Sequence, residues 1–234
     1  MRLKILNRNA LKYTAIFAML LDHTAYFFRD FPVLYFIMHF IGRLTAPIMC
    51  FFIAEGFYYT RSKLQYGLRL GVFALISQFA YIFYNTGTIF TPYFFIYWNV
   101  IFTFFVGFLV LLAYEKIRNK PVKFAVIALL CAASFIGDWM LIAPLWILFF
   151  YIFRTDNFKK FTAYGIIAAI TAAVGIVWWS EITQVGVFMA IPVLLLYNGQ
   201  KGGASPVHKW IFYIFYPLHL ILIALVEIYT LYPM

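Results

Sequence analysis

A carboxylate and a histidine stand side by side at Asp22 and His23 in an otherwise apolar stretch, and His39 and Arg43 follow with a spacing of four. Residues four apart share a helix face, so His39 and Arg43 point the same way, whereas the adjacent Asp22 and His23 diverge by about 100°. Asp22 and His23 therefore cannot address one partner alike. One division pairs Asp22 with Arg43 as compensating charges and leaves His23 for proton transfer. His219 adds another ionisable group, on a face with Tyr216, Ile223 and Glu227, and Ser77, Gln78 and Asn99 add uncharged polar groups. Plainer readings stand beside these. Asp22 with Arg43 could be only a helix-packing lock, His23 a hydrogen-bonded structural histidine, and His39, nearer an outer interface, a solvated side chain, which is the favoured reading for it.

The elements that must carry these groups are membrane helices. Of 234 residues, 65% are hydrophobic and only 11% charged, and 23% are aromatic, a balance suited to lipid rather than water. Apolar runs recur from residue 11 onward, so positions 1–234 read as a single integral membrane domain, an all-α bundle. About 20 helical residues cross a bilayer, and that ruler gives about nine spans: 11–29, 34–58, 66–84, 93–113, 122–137, 139–153, 160–179, 184–197 and 210–231. With the N-terminus cytoplasmic, 16 of the 18 Lys and Arg residues fall on inner segments, around residues 2–12, 61–69, 116–123, 154–160 and 201–209. Arg29 is left in an outer loop and Arg43 inside the second span. This pattern predicts a multi-pass protein of the bacterial cytoplasmic membrane.

The stretch from Phe135 to Pro144, interrupted by Gly137 and Asp138, reads as two short helices or one broken one, and the loop charges favour two. Asp22 and His23 interrupt the first apolar run and no small-residue cleavage site follows, so it reads as a retained span. Cys50 and Cys131 fall within helices, and no disulfide is assigned. Gly42, Ala46, Cys50 and Ala54 form a small-residue stripe for close packing. Asn198 to Pro206 is the one flexible linker. The net charge of +10 sits in short clusters between apolar runs, as topology signals do, so nucleic acid is not an expected partner.

Intramembrane charge costs several kcal/mol and usually faces a bundle interior or a wet cavity. At about 1.5 Å per residue, His23 lies about 16 Å along the first span, and His39, Arg43 and His219 reach a comparable depth, as Ser77, Gln78 and Asn99 could. One polar layer within the bundle is the expectation. Glu55, nearer the inner interface, could pair with a cytoplasmic cation or anchor a cofactor amide. The four histidines show no paired-ligand spacing, so no metal is expected. The absence of GxGxxG, Walker and GxSxG motifs lowers nucleotide-driven transport and serine hydrolysis.

Lys12 through His23, with its Asp-His pair, is followed by Ile41 to Pro47 (IGRLTAP), Phe51 to Thr60 (FFIAEGFYYT) and Tyr66 to Leu70 (YGLRL). Then come Leu75 to Gln78 (LISQ), Asn99 to Phe104 (NVIFTF), Tyr197 to Gly202 (YNGQKG) and Phe212 to Leu220 (FYIFYPLHL). In order and spacing these stretches resemble the TraX family, whose founding activity is N-acetylation of a conjugative pilin subunit, and the likeness runs nearly end to end. That family is similar in turn to the acyltransferase-three proteins and the lysosomal heparan acetyltransferase, which use an intramembrane histidine with acyl-CoA supplied from the cytosol. The resemblance implies that His23 is the catalytic histidine. Where the family often shows Asp-Tyr-Gly, this chain has Asp138, Trp139 and Met140, so the acceptor end of the site is expected to differ.

Acyl transfer from a thioester needs a base and an oxyanion donor. His23 would be the base, Arg43 or Asn99 the oxyanion donor, and Asp22 the orienting charge, with His219 in the same layer. Acetyl-CoA would be the acyl donor, its phosphates met by Arg61, Lys63, Arg69 and Lys201. The acceptor would be an amine or hydroxyl of a pilin-like peptide or a glycan. A proton-coupled transporter using Asp22, His23, Arg43 and His219 as a relay is the alternative, and an accessory scaffold a third.

Overall fold

The computed structural model describes residues 4–203, 205 and 207–231. Arg2 of the first basic segment, and Ala204 and Pro206 of the Gly-rich linker, lie outside the described residues. Among those described, the chain is helical, with two isolated bridges, Leu6 with Tyr197 and Trp98 with Gly137, and no longer strand. Helix α1 (Arg8–Thr24) starts at Asn7, whose side chain accepts the Ala10 N–H at 2.9 Å, and runs into a 3-10 turn, Ala25–Phe28. α2 (Pro32–Gly42) and α3 (Thr45–Tyr59) follow, then α4 (Lys63–Thr86), capped by Ser62, and the single turn α5 (Tyr93–Ile96). Asparagine side chains cap α6 (Val100–Lys116) and α7 (Lys120–Ala133). The rest are α8 (Ile142–Ile152), α9 (Asn157–Trp179), a 3-10 segment Ile182–Met189, α10 (Ala190–Leu195) and α11 (Val207–Leu231).

Among the described residues, four stretches are long and apolar enough to cross a membrane: Pro32–Tyr59, Lys63–Thr86, Asn157–Trp178 and Trp210–Thr230. Nine were expected from hydropathy. The difference lies in helix length: the runs expected at 122–137, 139–153 and 184–197 contain helices of 14, 11 and 6 residues, the last preceded by a 3-10 segment, while α1 and α6 stop at 17. The stretch around Gly137 does divide into two helices, α7 and α8. The second expected span is likewise interrupted, between Gly42 and Thr45. Pro47 has no N–H to offer the Arg43 carbonyl and its ring crowds that carbonyl, so α2 closes at Arg43 and the chain restarts as α3.

Exposed helix faces are apolar. On α4, Leu64, Leu68, Val72, Leu75 and Phe79 are exposed at helical spacing, while Ser77 and Gln78 are buried. On α11, Leu218, Leu222, Leu225 and Tyr229 are exposed, and His219 is buried. This inverts the amphipathicity of a water-soluble helix and suits hydrocarbon as the surrounding solvent.

The chain divides into two compact units. The first comprises the residues up to Met49 together with Phe161–Phe215. In it α1 packs on α2, the 3-10 segment Ile182–Met189 packs on α2, and Leu11, Ile48 and Tyr164 are fully buried. Residues 6–8 are clasped to 196–200 by Leu6 N–H to Leu196 O (3.0 Å), Asn198 N–H to Leu6 O (2.9 Å) and Arg8 N–H to Gln200 O (2.9 Å). The second unit comprises Cys50–Lys160 and the residues from Tyr216 onward.

In the second unit α6 is the central helix, packed by α4, α7 and α8, with Phe57, Phe108, Trp146 and Ile147 fully buried. Contacts at the helix ends set directions. The start of α4 meets the end of α6 through the Lys63–Glu115 ion pair. The start of α6 meets the α7–α8 connection through Trp98 N–H to Ile136 O (2.7 Å) and Asp138 N–H to Trp98 O (2.8 Å). The ends of α6 and α8 meet through the Tyr114 and Tyr151 rings, 6.3 Å apart. α6 therefore runs opposite to α4 and α7 and in the same direction as α8.

Candidate functional site

The first unit gathers the ionisable groups that the sequence singles out on α1 and α2. Asp22 does not take Arg43 as its direct partner. Its Oδ1 lies 2.6 Å from Nδ1 of His39, the histidine expected to be merely solvated, and both side chains are about four-fifths buried, at 21% and 19% exposure. An ionised carboxylate this close accepts the Nδ1–H of the imidazole and orients the ring. The Tyr35 ring packs edge-on against His39 at 4.4 Å. Gly42 makes the approach of α1 to α2 possible, because a Cβ there would overlap the Asp22 side chain. The small-residue stripe thus begins at the position that admits the carboxylate. His23, next to Asp22, is half-buried on α1.

Arg43 is held instead by a residue that the sequence analysis did not single out. Its Nη2 lies 3.5 Å from Glu181 Oε2, which also accepts the Thr183 hydroxyl at 2.9 Å. Glu181 stands at the turn between α9 and the 3-10 segment, its N–H donating to Gly175 O at 2.9 Å, next to Ser180 at φ 54°. Gly186 in that segment abuts the Phe40 carbonyl and lets the segment lie over the α2–α3 break. The Arg43 Nε is buried and has no hydrogen-bond partner among the described residues, so one strong donor of the guanidinium is uncommitted. The fourth histidine, His208, is tied through Nδ1 to the Tyr13 hydroxyl at 2.8 Å.

Asn99 and His219 fall in the second unit. Asn99 was expected as an oxyanion donor, and the structure gives it other work. Its Oδ1 accepts the N–H groups of Ile101 (3.0 Å) and Phe102 (3.3 Å), and its Nδ2 donates to Ala74 O (2.8 Å) and Gln78 Oε1 (2.9 Å). Both amide donors are spent. Gln78 in turn donates to the carbonyls of Phe94 (2.9 Å) and Tyr97 (2.6 Å), so the pair is a buried lock between α4, α5 and the start of α6. The Ser77 hydroxyl is buried with no partner among the described residues. His219 is buried beside the Tyr216 ring, 5.8 Å between centroids.

Of the cations expected to meet cofactor phosphates, Arg61, Lys63 and Arg69 belong to the second unit and Lys201 to the first. Arg61 and Lys201 are exposed. Lys63 is neutralised by Glu115 and lies over the Phe57 ring at 4.3 Å, and Arg69 lies over Tyr66 at 5.8 Å. Glu55 is half-buried on α3. Trp139 and Met140 take positive φ, 61° and 35°, immediately after Asp138. His39 had a legible signal in its i, i+4 spacing to Arg43, with Gly42 between them. Glu181 had none beyond being an acid in an apolar region, because its partner lies far away in sequence.

A family model described as TraX protein matches residues 7–227. The chain is 30% identical over 234 aligned residues to the probable fimbrial assembly protein FimC, serogroup H1, of Dichelobacter nodosus, covering 91% of this chain and 92% of that one. No solved structure matches.

Proposed function

The chain belongs to the TraX family, and on that premise we propose that it is an integral membrane acyltransferase, moving an acetyl group from acetyl-CoA to an amine or hydroxyl of a pilin-like peptide or a glycan. The observation that carries this reading is the pairing of Asp22 with His39 at 2.6 Å beside His23, where the apolar run Ala15–Leu21 of α1 ends against α2. Such a group of buried ionisable side chains costs stability and is kept where protons must move. The fimbrial name of the Dichelobacter nodosus relative favours a pilin-like acceptor over a glycan.

In the proposed reaction His23 takes the proton of the acceptor nitrogen or oxygen as that atom bonds to the thioester carbonyl carbon. The carbonyl π electrons move to oxygen, and Arg43, with its uncommitted Nε–H, balances the oxyanion. Collapse breaks the C–S bond, and the departing thiolate recovers the proton from the imidazolium, releasing CoA as the free thiol. Asp22 and His39 fix the end of α1 against α2, and the Asp22 carboxylate supplies the compensating charge. With both amide donors of Asn99 used, Arg43 is the remaining choice for the oxyanion among the groups first considered.

The proposed topology places the N-terminus in the cytoplasm, with the shorter helices also crossing. The alternation of helix directions in the second unit supports this, since it brings the basic segments after α3, α6 and α8 to one end. The test is incubation of the purified protein with labelled acetyl-CoA and candidate peptide or glycan acceptors. Wild type should release CoA and label an acceptor, and His23→Gln and Asp22→Asn should each lower the rate at least about a hundredfold. Intact acetyl-CoA in the presence of all acceptors, together with proton-coupled solute uptake in vesicles, would favour the transporter instead.

A further inference from the structure

We propose that the end of the second unit where α3, α6 and α8 finish binds a phosphate-bearing anion, with Lys123 and Arg154 as its principal contacts and Arg69 as an outlying one. The cations here are arranged on rings rather than on carboxylates. Arg154 lies between two tyrosines, 4.6 Å from the Tyr58 centroid and 5.1 Å from that of Tyr151, and its Nη1 donates to the Tyr151 carbonyl at 3.2 Å. Lys123 lies over Tyr114 at 4.9 Å. The Tyr114 and Tyr151 rings are 6.3 Å apart, and Phe57 joins them from 5.4 Å off Tyr151. From Phe57 the aromatic floor continues through Phe108 to Tyr66, 5.4 Å and 5.3 Å between successive centroids, and so to Arg69.

Charge is left over on this floor. Lys63 is matched by Glu115, whereas Arg69, Lys123 and Arg154 have no carboxylate within ion-pair distance among the described residues. The Nε of Arg69 is in addition buried without a hydrogen-bond partner there, an orphaned donor of the kind a ligand satisfies. A guanidinium held against aromatic rings rather than a carboxylate keeps N–H donors for another partner, and its planar fork fits the paired oxygens of a phosphate. The cations come from α4, α7 and the end of α8, elements far apart in sequence. The proposed set shares only Arg69 with the cations Arg61, Lys63, Arg69 and Lys201 expected from the sequence. Two sources offer this chemistry: the phosphates of an acyl-CoA donor, in which case the site serves the reaction proposed above, or the headgroup of an anionic phospholipid.

Both sources can be separated on the purified full chain. One arm titrates adenosine 3′,5′-bisphosphate into protein in neutral detergent, and the other compares phosphatidylglycerol with phosphatidylcholine for retention by native mass spectrometry. Wild type should bind one probe or the other, and Lys123→Gln with Arg154→Gln should weaken that binding at least about tenfold. The control is Arg29→Gln, which removes one cation from the isolated Tyr26 ring, 4.9 Å away, and should leave binding unchanged. Should the double variant fail to fold, Arg69→Gln alone should weaken binding about threefold or more by removing one charge-assisted contact. Binding of the bisphosphate assigns the site to a soluble donor, and selective retention of phosphatidylglycerol assigns it to lipid. Binding of neither probe, or an equal loss in Arg29→Gln, overturns the proposal. CoA release by wild type with neither probe bound would remove this site while leaving the acyl-transfer reading intact.

Discussion

At the scale of single residues, the choice of partner at Asp22 is governed by what stands opposite it. A side chain at position 42 would occupy the space of the carboxylate, so glycine there is a condition for the Asp22–His39 contact. Gly42→Ala should therefore push α1 from α2 and destabilise the protein by about 1–3 kcal/mol, the usual range for an overpacked contact. Thermal unfolding in detergent measures this, and an unchanged melting temperature would show that the helices have slack at that point. The sequence displayed Asp22, His23, His39 and Arg43 plainly, because ionisable groups stand out in apolar runs. What it did not display was which pairs with which. Helix periodicity ranks faces within one element, whereas Arg43 meets Glu181 across a loop whose position no local pattern encodes.

Among the elements, caps and breaks decide more than hydropathy does. Asn99 closes the first turn of α6 while its amide holds α4 through Ala74 and Gln78. Asn99→Ala should cost about 2–4 kcal/mol, the sum of a lost cap and the lost amide bonds to Ala74 and Gln78. If the residue served chemistry alone, the variant would lose activity with its melting temperature intact. Sequence patterning located nearly every apolar run, including the division at Gly137, but overestimated how many are long enough to cross alone. Hydropathy windows sum over proline breaks and 3-10 stretches, and so cannot see that the run over 184–197 contains a short α-helix preceded by 3-10 turns.

For the molecule as a whole, the inverted amphipathicity of α4 and α11 was readable as composition and is confirmed as geometry: polar atoms inside, apolar side chains outside. The arrangement of helix ends in the second unit makes sidedness testable. Single cysteines at Arg61, Lys116 and Thr155, placed in a background lacking Cys50 and Cys131, should react alike with a membrane-impermeant thiol reagent. Cysteines at Thr88 and Ile136 should show the opposite accessibility. A mixed pattern within either group would break the proposed alternation, and exposure of the first group to the outside would reverse it.

The two charged pairs of the first unit also differ in the time at which they can exist. His39 lies 17 residues from Asp22 and can meet it as soon as α1 and α2 leave the translocation machinery. Arg43 must wait for Glu181, roughly 140 residues later, which at about 5–20 residues per second is on the order of ten seconds of synthesis. During that interval the guanidinium is in the membrane with the second unit forming between it and its partner in chain order. The α2–α3 break leaves helix-end carbonyls next to that cation in the chain, and Asp22 is the acid already made, until Glu181 arrives.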